Sequence, residues 1–286
     1  MSRSRSEHEV HPSHLVLAGQ SVKAISVGGI ETCFQLSGFD CNLDIGRCPP
    51  GAIGQSRLLL THAHMDHAAG LPYYVSMRAM QRLRPPRVHC PVEVEPTLRR
   101  ILEAWASLDS DADRCHLEGV SPGDRIPLGG DAHARVFRSV HRVPTVGYAL
   151  FRSRRKLKPQ LHGLDGGRLR DLARAGEDLH EVEDRCELCF CGDTAAEILD
   201  REPVTRTARV LMLECTFLGE RPGREQARAG GHVHLDDIAD RADVLENEAI
   251  LLTHFSRRYA PAAIRRAVDD RLPPGLRERV HLLIDA

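Results

Sequence analysis

The chain has 286 residues, 42% apolar and 28% charged, with a formal net charge of −1. That length can bury a substantial core in one large domain, and the near-neutral balance excludes a globally basic protein, so any affinity for a polyanion must come from local charge. Nine cysteines without a paired framework point to a reducing compartment, no apolar run approaches the ~20 residues of a membrane span, and Met1-Ser2-Arg3-Ser4-Arg5-Ser6 lacks the apolar core of a signal peptide; a cytoplasmic protein is expected.

Residues 1–18 are polar and aperiodic and read as a flexible tail, with His8, His11 and His14 as tail residues rather than ligands. The folded domain is then expected over 19–286. Short alternating runs broken by glycine, over Val22–Val27, Thr32–Leu36 and Cys41–Gly46, indicate an antiparallel meander. Asp44 closes the third run. A buried carboxylate needs partners, and one role for it is to orient a metal-ligating histidine.

Leu58-Leu59-Leu60 reads as the end of a buried strand and leads into Thr61-His62-Ala63-His64-Met65-Asp66-His67. Two residues apart on an extended chain, His62 and His64 leave on the same side. Asp66 and His67 follow, where the chain turns toward a helix. Imidazole nitrogen and carboxylate oxygen suit zinc, and the four side chains suit a pair of ions, one taking His62 and His64, the other Asp66 and His67. The plainer alternative is a histidine-rich polar loop.

Helical spacing follows over Tyr73–Leu83, stopped by Arg84-Pro85-Pro86. Val88–Pro91 is a short strand and Val94–Trp105 a second helix. His89, His116 and His133 lack companions at ligand spacing and read as structural or surface residues. Ala134–His141 alternates as a strand with His141 at its end, where a first metal would need a further ligand. Arg152, Arg154, Arg155, Lys156 and Lys158 then form a run of five cations without an acid, followed by glycines and a short helix over 168–174. By itself such a run is as well explained by a solvated face.

Leu188–Thr194 is a buried strand ending in Gly192-Asp193-Thr194. Cys186 and Cys189 form a lone CxxC; a structural zinc site needs a second pair, so these and Cys191 are assigned to the core. Val210–Leu213 leads to Glu214, again a carboxylate at a strand end. Gly230–Asp237 opens a helix expected to run to about Leu245, Ala249–His254 is a strand closed by a histidine, a helix covers Ala262–Val268, and His281–Ile284 is a last strand.

His62, His64, Asp66, His67, His141, Asp193 and His254 all lie at or just past strand ends. In that order, with Asp44, they resemble the metallo-β-lactamase superfamily, an α/β fold built as a four-layer αββα sandwich with two zinc ions at one edge of its sheets. Within it the chain is similar to the ribonuclease Z family in its short plant-type form. The more specific pieces are Val27-Gly28-Gly29-Ile30-Glu31-Thr32-Cys33, Asp44-Ile45-Gly46-Arg47-Cys48-Pro49, Glu214-Cys215-Thr216-Phe217, Gly231-His232 and His254-Phe255-Ser256-Arg257-Arg258-Tyr259.

The resemblance implies one zinc on His62, His64 and His141 and another on Asp66, His67 and His254, bridged by Asp193, with manganese an alternative metal. It implies an endoribonuclease that removes 3′ trailers from precursor transfer RNA by attack of metal-activated water on phosphorus. Asp66 would accept a proton, and His232, oriented by Glu214, would protonate the leaving 3′-oxygen. The family stretch Gly-His-Ser-Thr here reads Gly231-His232-Val233-His234, so His234 is the other candidate. The family also has a protruding arm after the third histidine motif, which implies a basic exosite-like insert at about 151–180 and RNA contact by Arg152, Arg154, Arg155, Lys156 and Lys158. A homodimer is implied too. The rivals are another hydrolase of the fold acting on a small phosphodiester, and a non-catalytic RNA-binding protein, which predicts degraded ligands.

Overall fold

Strands that are apolar on both faces need cover on both, and this chain supplies it in four layers. The computed structural model describes residues 12–109, 111 and 113–284, and these form two seven-stranded sheets. The first runs, in spatial and chain order, through β1 (Ser13–Leu17), β2 (Gln20–Val27), β3 (Glu31–Leu36), β4 (Cys41–Leu43), β5 (Arg57–Leu59), β6 (Arg87–Pro91) and β7 (His116–Val120). The second holds β8 (Arg125–Gly129), β9 (Ala132–Arg138), β10 (Val146–Leu157), β11 (His180–Phe190), β12 (Val210–Glu214), β13 (Ala249–Thr253) and β14 (Val280–Leu282), also in chain order. Each sheet is antiparallel on the side of its first strands and parallel from β4 or β11 onward.

The helices α1 (Met65–Ala68), α2 (Leu71–Met80) and α3 (Glu95–Ala106) follow strands of the first sheet. A small helix α4 (Gly166–Arg174) lies between β10 and β11. Beside the second sheet come α5 (Ile198–Arg201), α6 (Val204–Thr207), α7 (Arg224–Gly230), α8 (Leu235–Ala239), α9 (Pro261–Arg271) and α10 (Pro274–Arg277). The layering follows from strand alternation. Along β12, Val210 and Met212 join Phe34, Leu59 and Tyr148 in the core between the sheets. Leu211 and Leu213 face outward, onto Leu235, Ile238, Ile264 and Val268. On the outer face of the first sheet, Leu58 and Val88 pack with Leu71, Tyr74, Leu98 and Leu102 of α2 and α3. The expected αββα sandwich is the observed fold.

Two stretches differ from expectation. The tail expected to residue 18 becomes a strand at Ser13, because β1 pairs antiparallel with β2 and Leu17 is buried in the intersheet core; residues 1–11, with His8 and His11, lie outside the described residues. The helix expected to open within Gly230–Asp237 and run to about Leu245 is only α8. The Arg241 guanidinium donates to the Asp237 carbonyl, while the Arg241 amide turns back to Ile238, and the α-helical ladder stops there.

Candidate metal centre

All seven carboxylates and imidazoles singled out by spacing converge at one end of the sandwich. His62, His64, His141 and Asp193 form one group, and Asp66, His67 and His254 a second; the ligand-capable atoms within each group lie within 4.8 Å of one another. Asp193 faces both, with Oδ2 at 3.8 Å from His62 Nε2 and Oδ1 at 3.3 Å from His67 Nε2 and 3.5 Å from His254 Nε2. His62 and His64 lie on the extended chain past β5, and His64 is the residue that precedes α1, whose first turn carries Asp66. His141 is three residues beyond β9, in a loop rather than on a strand.

The tautomers are set from outside the centre. His67 Nδ1 donates to Asp44 Oδ2 at 2.7 Å, and His141 Nδ1 donates to the Gly231 carbonyl at 2.8 Å. Thr61 Oγ1 donates to Asp44 and so accepts from His62 Nδ1 at 2.9 Å. Likewise Thr216 Oγ1 donates to Glu214 at 2.6 Å and accepts from His254 Nδ1 at 3.0 Å. With Nδ1–H engaged in each case, the lone pair of all four rings is on Nε2, toward the centre. Asp44 is the buried orienting carboxylate the sequence suggested. Thr61 and Thr216 were missed; their only signal was position, a hydroxyl beside a ligand and two residues past Glu214.

Asp44 and His254 are held at φ +55 and +59, in the left-handed region where a side chain costs roughly 1–2 kcal/mol, and both are buried. Strain at two such residues is sustained by the surrounding contacts and clusters at functional sites. Glycine is needed at two approaches. A Cβ on Gly231 (φ +73) would lie 2.7 Å from His141 Nδ1, and one on Gly192 (φ +62) 2.7 Å from the Thr61 Cβ.

The electrostatics suit metal binding. Burial holds His62, His64 and His141 below the ordinary imidazole pKa, hence neutral and able to ligate. Burial also opposes charge on His67, but the Asp193 and Asp44 carboxylates on its two nitrogens outweigh it and raise its pKa, so a cation at Nε2 would take the place of the proton there and free the lone pair to ligate. Asp193 is buried yet lowered well below the carboxylate range by His254 and His67. His141 Nε2 and Asp193 Oδ1 are buried without a hydrogen-bond partner among the described residues. A cation within reach of both would satisfy them, and the donor set of imidazole nitrogen and carboxylate oxygen fits one of the zinc class.

His232 stands beside both groups, its ring 5.2 Å from that of His141 and 5.8 Å from that of His254. Its Nδ1 donates to Glu214 Oε1 at 2.7 Å, and although burial opposes its charge, Glu214 carries its pKa up to about 9. His234 is turned away: Nε2 donates to the Gly219 carbonyl at 2.8 Å and Nδ1 accepts from the Asp236 amide at 3.2 Å. Of the two candidates only His232 faces the ligand groups.

Four of the five cations lie far along β10, with Lys158 just past its end, on a ribbon with β11 that outruns β9 beyond Arg152. Four are ion-paired: Arg152 with Asp131 at 2.9 Å, Arg154 with Glu187 at 3.8 Å, Arg155 with Asp178 at 3.5 Å and Lys156 with Glu183 at 2.8 Å. Residues 152–187 hold nine Lys and Arg against eight Asp and Glu, so the run that is acid-free in sequence is nearly neutral in space. Cys186, Cys189 and Cys191 are free thiols.

No family model matches the chain. It is 35% identical to tRNase Z TRZ1 of Arabidopsis thaliana over 269 residues, covering 93% of this chain and 96% of that protein. It is 36% identical to the chloroplastic tRNase Z TRZ2 of the same plant over 254 residues, 88% of this chain and 72% of that one. Among solved structures, the metallo-beta-lactamase fold protein YhfI from Bacillus subtilis superposes with a TM-score of 0.63 over 93% of this chain and 96% of that chain, at 13% identity.

Proposed function

The chain belongs to the ribonuclease Z family, and on that premise we propose that it is a metal-dependent endoribonuclease removing 3′ trailers from precursor transfer RNA. The observation that carries this is the convergence of the seven candidate ligands in two groups that meet at Asp193, with a charged His232 at their side. Two zinc ions would occupy the groups, one on His62, His64 and His141, the other on Asp66, His67 and His254, with Asp193 between them. Bound there, such ions supply Lewis acidity toward phosphate oxygen and a water acidified to near neutral pH.

The side chains do the rest. Asp44, Thr61, Thr216 and the Gly231 carbonyl hold four imidazoles in one tautomer and orientation. Asp66 is kept well below the carboxylate range by His254 and His67 against the effect of burial, and its Oδ2 accepts from the Gly29 amide at 2.9 Å. It is placed to act as a ligand and to accept a proton from the attacking water. His232 donates its proton to the 3′-oxygen as the P–O3′ bond breaks, and Glu214 stabilises the imidazolium beforehand. The products are a transfer RNA with a 3′-hydroxyl and a trailer with a 5′-phosphate.

The five cations at the end of β10 are proposed to contact RNA phosphates, Arg155 and Lys156 by exchanging partners, since exposed ion pairs are worth only ~0–1 kcal/mol. A homodimer is supported by exposed apolar side chains on α2, on α3 and just past α3, Met80 at 67%, Trp105 at 51% and Leu108 at 81%, and light scattering of the purified protein checks it. A reducing compartment such as the cytoplasm is supported by nine free thiols; among the described residues no helix is long and apolar enough to cross a membrane.

The deciding experiment is incubation of metal-assayed protein with a 3′-extended precursor and mapping of the cut. The expected result is about two zinc-class ions per chain, as for a two-metal site, and one cut leaving a 3′-hydroxyl on the transfer RNA. Turnover of bis-p-nitrophenyl phosphate with every precursor left intact would favour a hydrolase of small phosphodiesters instead.

A further inference from the structure

A cavity of about 210 Å³ opens against His232. Its walls carry three guanidinium groups, Arg224, Arg228 and Arg241, and three carboxylates, Glu197, Glu225 and Asp237. The arginines are held in place by ion pairs: Arg224 Nη1 with Asp240 at 2.7 Å, Arg241 Nη2 with Asp200 at 2.7 Å, and Arg228 with Glu197.

We propose that this cavity seats the nucleobase of the last nucleotide retained in the product. The assignment rests on His232 being the group that protonates the leaving 3′-oxygen. Base and 3′-oxygen hang from one ribose, so a seat for that base must share a wall with the acid; His232 is such a wall. The lining also selects the kind of occupant. Its three guanidinium charges are matched by its three carboxylates, the His232 imidazolium is paired with Glu214, and Asp200 and Asp240 lie just behind, so a phosphate would find no net positive charge there. A nucleobase edge is neutral and carries donors and acceptors side by side, and here the lining offers both fixed arginine forks and carboxylate oxygens. The volume holds about seven waters at ~30 Å³ each, room enough for a heterocycle that displaces them.

The test uses precursors identical except at the last retained nucleotide, which carries each of the four bases or none. They are cleaved by the metal-loaded wild type and by Arg228→Ala, a side chain 68% exposed, whose loss leaves the core untouched. Removing the base should lower kcat/KM of the wild type about tenfold or more, the usual worth of a good paired base contact. In Arg228→Ala that abasic penalty should shrink by roughly threefold or more, as expected of two groups that interact. A wild type indifferent to the base, while still cutting at the right bond, removes the cavity assignment alone. An abasic penalty of the same size in Arg228→Ala removes it equally. Failure to cut any precursor removes it together with the leaving-group role of His232.

Discussion

At the scale of single residues, the side chains that hold the ligands do as much as the ligands. Glu214 accepts from the Thr194 and Thr216 amides, the Thr216 hydroxyl and His232, so one carboxylate serves both His254, through Thr216, and His232. The pH dependence follows. As the proposed acid, His232 must carry its proton, so its contribution is present below its pKa and lost above it; the value of about 9 set by Glu214 places that limb on the alkaline side, and cations bound in the adjacent groups would move it lower. In Glu214→Gln the fall in precursor cleavage should begin about 1–3 pH units earlier, the size of a lost opposite charge at contact. A limb that stays where it is in the wild type would show that Glu214 does not tune this acid. His232→Ala should slow precursor cleavage by ~10²–10⁴-fold, with a much smaller loss on bis-p-nitrophenyl phosphate, whose leaving group departs without a proton. Equal losses on both substrates would take the acid role away from His232.

At the scale of elements, the β10–β11 ribbon shows how strand pairing alters the meaning of a charge run. Register puts Lys156 opposite Glu181 and Arg154 opposite Glu183, so acids far along the chain become direct or diagonal neighbours of the cations. If the ribbon meets RNA, these acids weaken it. Asp178→Asn combined with Glu183→Gln releases Arg155 and Lys156, and should tighten precursor binding at low salt and steepen the log–log salt dependence by about one to two units, at 0.7–0.9 per phosphate. Affinity measured across a salt series decides it, and an unchanged slope would return the ribbon to ordinary solvated surface. The helix between the ribbon's two strands, α4, is capped by Asp165, whose carboxylate accepts from the Gly167 and Arg168 amides.

At the scale of the whole molecule, the centre joins the two sheets. His62, His64, Asp66 and His67 come from the first sheet, and His141, Asp193 and His254 from the second. The backbone bridge between Gly28 and Ser256 crosses between the sheet regions at the same end. Metal that binds across both must stabilise the folded state, since ligands this far apart in sequence are not assembled in the unfolded chain. Chelation should therefore lower Tm on the order of 5 °C or more, given ~2.7 kcal/mol for saturation at a hundredfold excess over Kd and ~2–4 °C per kcal/mol in a protein this large. Asp193→Asn should lose most of that difference. Identical melting curves with and without chelator would contradict a metal shared between the sheets.

What the chain determined by itself was whatever depends on neighbours in sequence. The alternating runs of β2 and β3, the continuous apolar runs of β12 and β13, the helical spacing of α2 and α3, and His62-x-His64-x-Asp66-His67 behind a buried strand were legible because local pattern alone carries them. The strand-end positions of Asp44, Asp193, Glu214 and His254 were enough to suggest the family. Tertiary structure decided whatever depends on residues distant in sequence: Thr61 and Thr216 as the partners that set tautomers, His232 rather than His234 as the ring facing the ligands, β1 drawn from an expected tail onto the edge of β2, and the acids that neutralise the β10 cations. A hydroxyl, an imidazole or a lysine has the same side-chain chemistry wherever it stands. Its charge, tautomer and accessibility are set by what packing brings within hydrogen-bonding distance, and no local pattern encodes that.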